Sequence, residues 1–175
     1  TDDLIEAEIV KIKHTVGMLK EYVNKFEKDG IFYTIISVED KTAEVTFKGE
    51  TYDEVDNEYQ GDVVIPQTVS YEDVDFTVVG VGEKALYGCD NIRKLSVPLT
   101  VNYFDKGAVN SETLRELYWN STMAFSKSVF VNPDAATNMI LYITAETACD
   151  YDGNIVRNGV AENIVLTDAI PLQIT

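Results

Sequence analysis

The residues best suited to catalysis in this chain of 175 residues are one histidine, His14, and two cysteines, Cys89 and Cys149. A Ser-His-Asp or Cys-His arrangement needs a histidine as its base, and His14 lies far from both cysteines in sequence. Zinc needs three or four ligands, which these residues do not supply. The cysteines form no CxxC pair, so each is expected to be a small buried side chain. These residues therefore predict no catalytic residue and no metal site.

Two acidic segments have the oxygen-rich composition that calcium prefers. Four acidic side chains crowd residues 53–58, and DYDGN at 150–154 resembles the start of an EF-hand loop. That loop needs a glycine where this chain has Ile155, so the Asp152–Gly153 pair is interpreted as a hairpin turn. Weak calcium binding by the acidic 50–58 loop stays an alternative to a purely solvated loop.

The charge balance excludes several classes of partner. Acidic residues outnumber basic ones by 30 to 14, which gives a formal net charge of −16. Phosphate binding requires clustered lysine and arginine, so nucleic acid is excluded and an anionic membrane surface is disfavoured. No apolar run approaches the roughly 20 residues that cross a bilayer, so no membrane insertion is expected.

The first element to place is the N-terminal segment, residues 1–29. Apolar side chains recur in alternating steps of four and three from Ile5 to Phe26. This heptad stripe predicts an amphipathic helix over residues 3–28, and Gly30 is suited to end it. An alternative places residues 10–16 in a strand. The stripe is expected to pack on the domain or on a second copy of the chain, which would form a homodimer.

From residue 30 onward the apolar pattern changes to period two. IFYTIIS at 31–37 and TAEVTF at 42–47 flank the polar VEDK, which predicts a β-hairpin. The acidic stretch at 49–62 is predicted to be an exposed loop. VVIP at 63–66 and FTVVGVG at 76–82 predict further strands.

Residues 63–143 contain an internal repeat. ALYGCDNIRKLSVP begins at Ala85, and AVNSETLRELYWN begins at Ala108 with matching apolar positions. Equivalent strands are predicted around Val63, Leu95, Leu117 and Leu141, at spacings of 32, 22 and 24 residues. A unit of this size cannot bury its apolar side chains alone, whereas stacked copies can.

The stack assigns each strand residue to one of two faces, because side chains alternate along a strand. The outward set should form an exposed ladder, and tyrosine is favoured in contact patches. The alternative is that the tyrosine pair only stabilises the sheet. The inward residues are predicted to be Leu95, Val97, Leu117, Trp119, Leu141 and Ile143, and the outward residues are Ser96, Tyr118 and Tyr142, with Tyr103 near them.

The segment FTVVGVGEKALYGCDNIRKLSVPLTV resembles the BspA-like leucine-rich repeats of surface proteins from gut and oral anaerobes. Val79, Gly82, Ala85, Cys89 and Pro98 are among the residues that fall on the family pattern in register. The resemblance is specific at 79–101 and extends loosely over residues 29–167. In the second repeat the family's Gly-Cys is replaced by Ser-Glu at 111–112, which suits a short array whose terminal repeats are caps.

The resemblance implies a mainly β fold, a short leucine-rich-repeat-like solenoid with an N-terminal β-hairpin region. The appended N-terminal helix is predicted from the heptad stripe alone. The resemblance divides the repeat domain, 30–175, into a hairpin lead-in (30–62), repeats (63–143) and a C-terminal cap (144–175).

The resemblance also implies an exported, extracellular or cell-surface protein that presents a repeat surface for adhesion and has no catalytic residue and no cofactor. What members of the family bind varies, so the resemblance identifies no ligand. We expect a protein ligand, from a host matrix or a bacterial surface. The residues predicted to contact it are Tyr103, Tyr118 and Tyr142. An accessory glycan-binding protein is the alternative.

Overall fold

The computed structural model describes residues 2, 4–6, 24–110, 113–121, 123, 125, 127–132 and 139–143. This part of the chain is mainly β, as predicted, because its β-branched and aromatic residues suit a half-buried pleated surface. The strands are β1 (Lys25–Lys28), β2 (Ile31–Ser37), β3 (Thr42–Thr46), β4 (Gln60–Val64), β5 (Thr68–Tyr71), β6 (Val74–Val81), β7 (Asn91–Val97), β8 (Tyr103–Phe104), β9 (Glu116–Trp119) and β10 (Ile140–Ile143), and a short 3₁₀ helix spans Lys127–Val129.

A six-stranded sheet contains most of the strands in the N-terminal part of this structure. Its strand order is β1-β2-β3-β6-β5, and β8 also pairs with β6. The predicted hairpin is confirmed, since β2 and β3 are antiparallel. β5 and β6 form a second hairpin that the sequence did not indicate. β3, β6 and β8 run parallel to one another, so the chain returns to this sheet in the same direction at each pass.

The second sheet has four parallel strands in the order β10-β9-β7-β4. Val63 pairs with Leu95, Leu95 with Leu117, and Leu117 with Leu141. These partners are separated by 32, 22 and 24 residues in sequence. The predicted equivalence of the four strands is therefore confirmed residue by residue.

The core lies between the two sheets. The inner face of the parallel sheet buries side chains at the predicted positions, among them Leu95, Leu117 and Trp119. The rings of Trp119 and Phe104 lie 5.4 Å apart and join the two sheets. Parallel bridges between Leu86 and Val109 and between Val109 and Phe130 link the connecting segments in the same way. The burial of Ile143 lies outside the described side chains.

The N-terminal segment differs from the helix predicted over 3–28. Residues 2 and 4–6 are helical, but Lys25–Lys28 is the strand β1, paired antiparallel with β2. Phe26 fits the heptad stripe, yet its ring stacks on Tyr33 at 5.4 Å and on Tyr71 at 4.3 Å. Burial of this ring in the sheet, which sequence spacing does not reveal, decides the local structure.

Several predictions fall on residues outside the described part of the chain. These are residues 7–23, with His14 and most of the heptad stripe, and residues 144–175, with the predicted cap and Cys149. Among the described residues, no helix has the length and the apolar content needed to cross a bilayer.

Candidate functional site

Two tyrosines stand side by side on the outer face of the parallel sheet. β9 and β10 hold Tyr118 opposite Tyr142 in parallel register. Their ring centroids are 4.4 Å apart and the ring planes differ by 6°. Both side chains are partly exposed, whereas the flanking residues Leu117, Trp119 and Leu141 are buried in the core. The sequence prediction placed this pair on the outer face, and the structure puts it there.

The third predicted contact residue, Tyr103, lies elsewhere. It belongs to β8 in the six-stranded sheet, and the next residue, Phe104, packs against Trp119 between the sheets. Because neighbouring side chains in a strand point to opposite faces, Tyr103 lies on the outer side of the other sheet. Its hydroxyl donates to the carboxylate of Glu44. The expectation that Tyr103 lies near the tyrosine pair is therefore wrong.

A row of charged side chains runs beside the tyrosine pair. Lys94 pairs in register with Asp62 on one side and Glu116 on the other. Its ammonium lies 3.7 Å from the Asp62 carboxylate and 3.5 Å from that of Glu116. The same ammonium lies 5.6 Å from the centre of the Tyr118 ring. Lys94 thus lies between two carboxylates and beside the Tyr118 ring, although surface ion pairs of this kind add little stability.

The phenol hydroxyl of Tyr118 is hydrogen-bonded to a carboxylate of the same row of charged side chains. It donates to Glu116 at 2.9 Å. Desolvation, together with this hydrogen bond, raises the pKa of Tyr118 to about 12. The hydroxyl is therefore a neutral donor throughout the physiological pH range.

The outer ladder continues from the tyrosine pair to Ser96 and Val64. Val64 is 40% exposed. Ser96, which was predicted to point into solvent, is fully buried. It does lie in the outward register, but its side chain is small and stands between two larger neighbours in the ladder, Val64 and Tyr118. The accessible part of the face is therefore apolar and aromatic, with the ionic row along one side.

Sequence reasoning missed the ionic row. Lys94 and Glu116 each precede a predicted inward residue by one position, and Asp62 precedes Val63, the equivalent position of the first strand. The strand register therefore contained the signal. A β-bulge between Gly61 and Asp62 breaks the simple alternation before Lys94. The stretch at 49–62 also holds Tyr59, which is 2% exposed, donates to the Thr46 carbonyl oxygen and accepts from the Phe32 amide. That stretch is thus anchored in the core and is not simply an exposed loop.

Cys89 lies in the core, as predicted. It is a free cysteine with no exposed surface. Burial raises its pKa to about 12. Because the thiolate is the reactive form, this thiol is unreactive at neutral pH. Among the described residues, no group of three or more histidine, cysteine, aspartate or glutamate side chains is arranged to hold a metal ion.

Comparisons with known proteins give one structural likeness. No protein-family model matches this chain, and no curated protein matches it. The fold is similar to the crystal structure of a leucine-rich repeat protein from Bacteroides ovatus, with 22% sequence identity and a TM-score of 0.41 over 67% of this chain. This chain spans 31% of the length of that protein.

Proposed function

We propose that this chain is a non-enzymatic binding module whose parallel sheet holds a protein partner on its outer face. The observation that carries the proposal is the stacked pair of Tyr118 and Tyr142 on that face. Aromatic side chains that are already ordered lose little conformational entropy on binding, so such a pair is suited to anchor an interface. No catalytic step and no cofactor form part of the proposed function.

The surroundings of the tyrosine pair support a protein as the partner. Protein interfaces combine an aromatic and apolar centre with a polar rim. Here the centre is the tyrosine pair with Val64, and the rim is the row of Asp62, Lys94 and Glu116. The hydroxyl of Tyr118 and the ammonium of Lys94 are fixed by the same carboxylate, so the polar contacts are preorganised.

The overall charge favours a basic partner. A net charge of −16 attracts cationic proteins and repels nucleic acid and anionic lipid. The sequence resemblance to BspA-like surface repeats supports a location outside the cell. Together these features favour a basic extracellular protein, of host matrix or bacterial surface origin.

The test is a binding screen of the whole chain against immobilised extracellular-matrix proteins, bacterial surface proteins and a glycan array. The Tyr118→Ala, Tyr142→Ala double variant is expected to lose about tenfold or more in affinity for its protein partner, as removal of a hot spot does. A Leu99→Ala, Val131→Ala variant is the matched control, because both residues are exposed apolar side chains outside the tyrosine ladder.

Each outcome of the screen decides the proposal. Protein binding that the tyrosine variant loses and the control variant keeps would support it. Binding that survives loss of both rings would refute the assignment of this face. Binding to glycans alone, lost in the tyrosine variant, would replace it with a glycan-binding function.

A further inference from the structure

A second aromatic cluster lies apart from the tyrosine ladder. Phe47 and Tyr52 follow β3, and Tyr87 lies in the turn after β6. The Phe47 and Tyr52 centroids are 6.4 Å apart with ring planes at 78°. Tyr52 and Tyr87 are 5.0 Å apart at 86°. Two tyrosine rings at nearly a right angle form a corner, which we call the Tyr52–Tyr87 corner.

A lysine of the chain itself occupies this corner. The ammonium of Lys84 lies 3.8 Å from the centre of the Tyr52 ring and 6.0 Å from that of Tyr87. The face of an aromatic ring attracts a cation through its quadrupole, and two rings attract it more than one. The ammonium therefore marks the position that a bound cation would take.

The surroundings of the cluster also favour a cation. Lys25 places a second ammonium 4.1 Å from the centre of the Phe47 ring and donates to the carbonyl oxygen of Gly49. The carboxylates of Glu54 and Glu58 act electrostatically on this ammonium, and Glu83 acts on that of Lys84. Two lysine ammonium groups thus lie against the three aromatic rings of this cluster, in a strongly acidic molecule.

The ammonium of Lys84 is accessible to solvent. Its side chain lies at the surface, where water solvates the ammonium when it leaves the rings. A cation–π contact at an exposed site is a weak interaction, so a cation from outside competes with Lys84 at little cost.

We propose that the Tyr52–Tyr87 corner binds an alkylammonium group of another molecule, which displaces the ammonium of Lys84. Recognition of such groups by aromatic rings is an established use of this geometry in proteins. A lysine side chain and a choline headgroup carry the same chemistry. This site is separate from the tyrosine ladder on the parallel sheet, so it does not depend on the proposed protein-binding function.

The test titrates the full chain with three probes, followed by amide chemical shifts in NMR spectra and by calorimetry. The probes are choline, Nα-acetyl-lysine methylamide and 3,3-dimethylbutan-1-ol, a neutral molecule of the shape of choline. Lys84→Ala empties the corner, and Lys84→Arg keeps a cation there as the matched control. Tyr52→Leu, introduced into Lys84→Ala, removes the ring that lies nearest the ammonium.

Lys84→Ala is expected to bind an ammonium probe about two- to fivefold more tightly than the wild type and the Lys84→Arg control do. It should also prefer that probe to the neutral alcohol, and Tyr52→Leu should abolish the gain. The probe that binds more tightly, choline or the lysine derivative, identifies the source of the cation. Equal binding of the neutral alcohol, a gain that persists without the Tyr52 ring, or no binding by the folded Lys84→Ala variant would overturn the proposal.

Discussion

The ring of Tyr103 lies over the backbone of Gly80 on the outer side of the six-stranded sheet. A Cβ atom at Gly80 would come within 2.0 Å of Cζ of Tyr103, so no larger residue fits without movement of the ring. Tyr103 is anchored from its other end by the hydrogen bond to Glu44. Glycine is thus required at position 80 because a side chain approaches the backbone closely, and not because of a positive φ angle.

We predict that Gly80→Ala lowers the free energy of unfolding by about 1–3 kcal/mol, because the anchored ring has to move. Urea denaturation would measure the loss. In a double-mutant cycle, Tyr103→Ala should remove most of the added cost of Gly80→Ala. Strictly additive losses would mean that the ring does not restrict position 80.

The hairpin of β5 and β6 turns through two residues with positive φ, Glu72 at 46° and Asp73 at 62°. Positive φ at both central residues is the geometry of a type I′ turn, which favours Asn-Gly. Glutamate is strained there, because a Cβ atom crowds the backbone in the left-handed region, and aspartate tolerates this region better than glutamate but less well than glycine. The hairpin therefore forms in spite of its turn residues, through the pairing of its strands.

The pair of substitutions Glu72→Asn and Asp73→Gly is expected to raise the free energy of unfolding by about 1 kcal/mol, since it relieves this strain. Thermal and urea unfolding would measure the gain. The control is Glu50→Gln with Asp53→Asn, which removes two exposed carboxylates at positions without positive φ. An equal gain in the control would assign the effect to lost charge repulsion.

Elements with a clear local signal were predictable from the sequence, and elements that depend on distant partners were not. The period-two pattern gave β2 and β3 at 31–37 and 42–46. The β5–β6 hairpin was missed because its turn contains neither glycine nor asparagine. β1 was missed because Phe26 fits a helical stripe equally well, and only its packing against Tyr33 and Tyr71 distinguishes the two structures.

At the scale of the whole molecule, the inward-facing side chains of the parallel sheet form a ladder that stabilises the packing of its strands. Leu95 is 1% exposed and pairs with Val63 on one side and Leu117 on the other. Leu95→Ala is expected to lower the free energy of unfolding by about 2–5 kcal/mol, through lost burial and the cavity that remains. Val64→Ala, on the outer ladder, is the control. A loss for Leu95→Ala within about 0.5 kcal/mol, the range of surface substitutions, would contradict this register.

The candidate site was also predictable only in part, because some of its residues are brought together by distant parts of the chain. The repeat spacing brought Tyr118 and Tyr142 together, because residues at equivalent positions of stacked strands must be neighbours. Tyr103 was misplaced because the chain crosses to the other sheet after β7. The Tyr52–Tyr87 corner is formed by two connecting segments, and no local sequence pattern predicts that these segments lie close together.

Among the strands that the structure describes, each strand of the parallel sheet pairs with its neighbours in the order β10-β9-β7-β4. Duplication or loss of one unit, 22 or 24 residues in the later repeats, would preserve the pairing of every other strand. Recombination between neighbouring units can therefore lengthen or shorten the gene in whole repeats without creating a new fold. In such a lineage the number of stacked side chains on the outer face of the parallel sheet would follow the copy number of the unit.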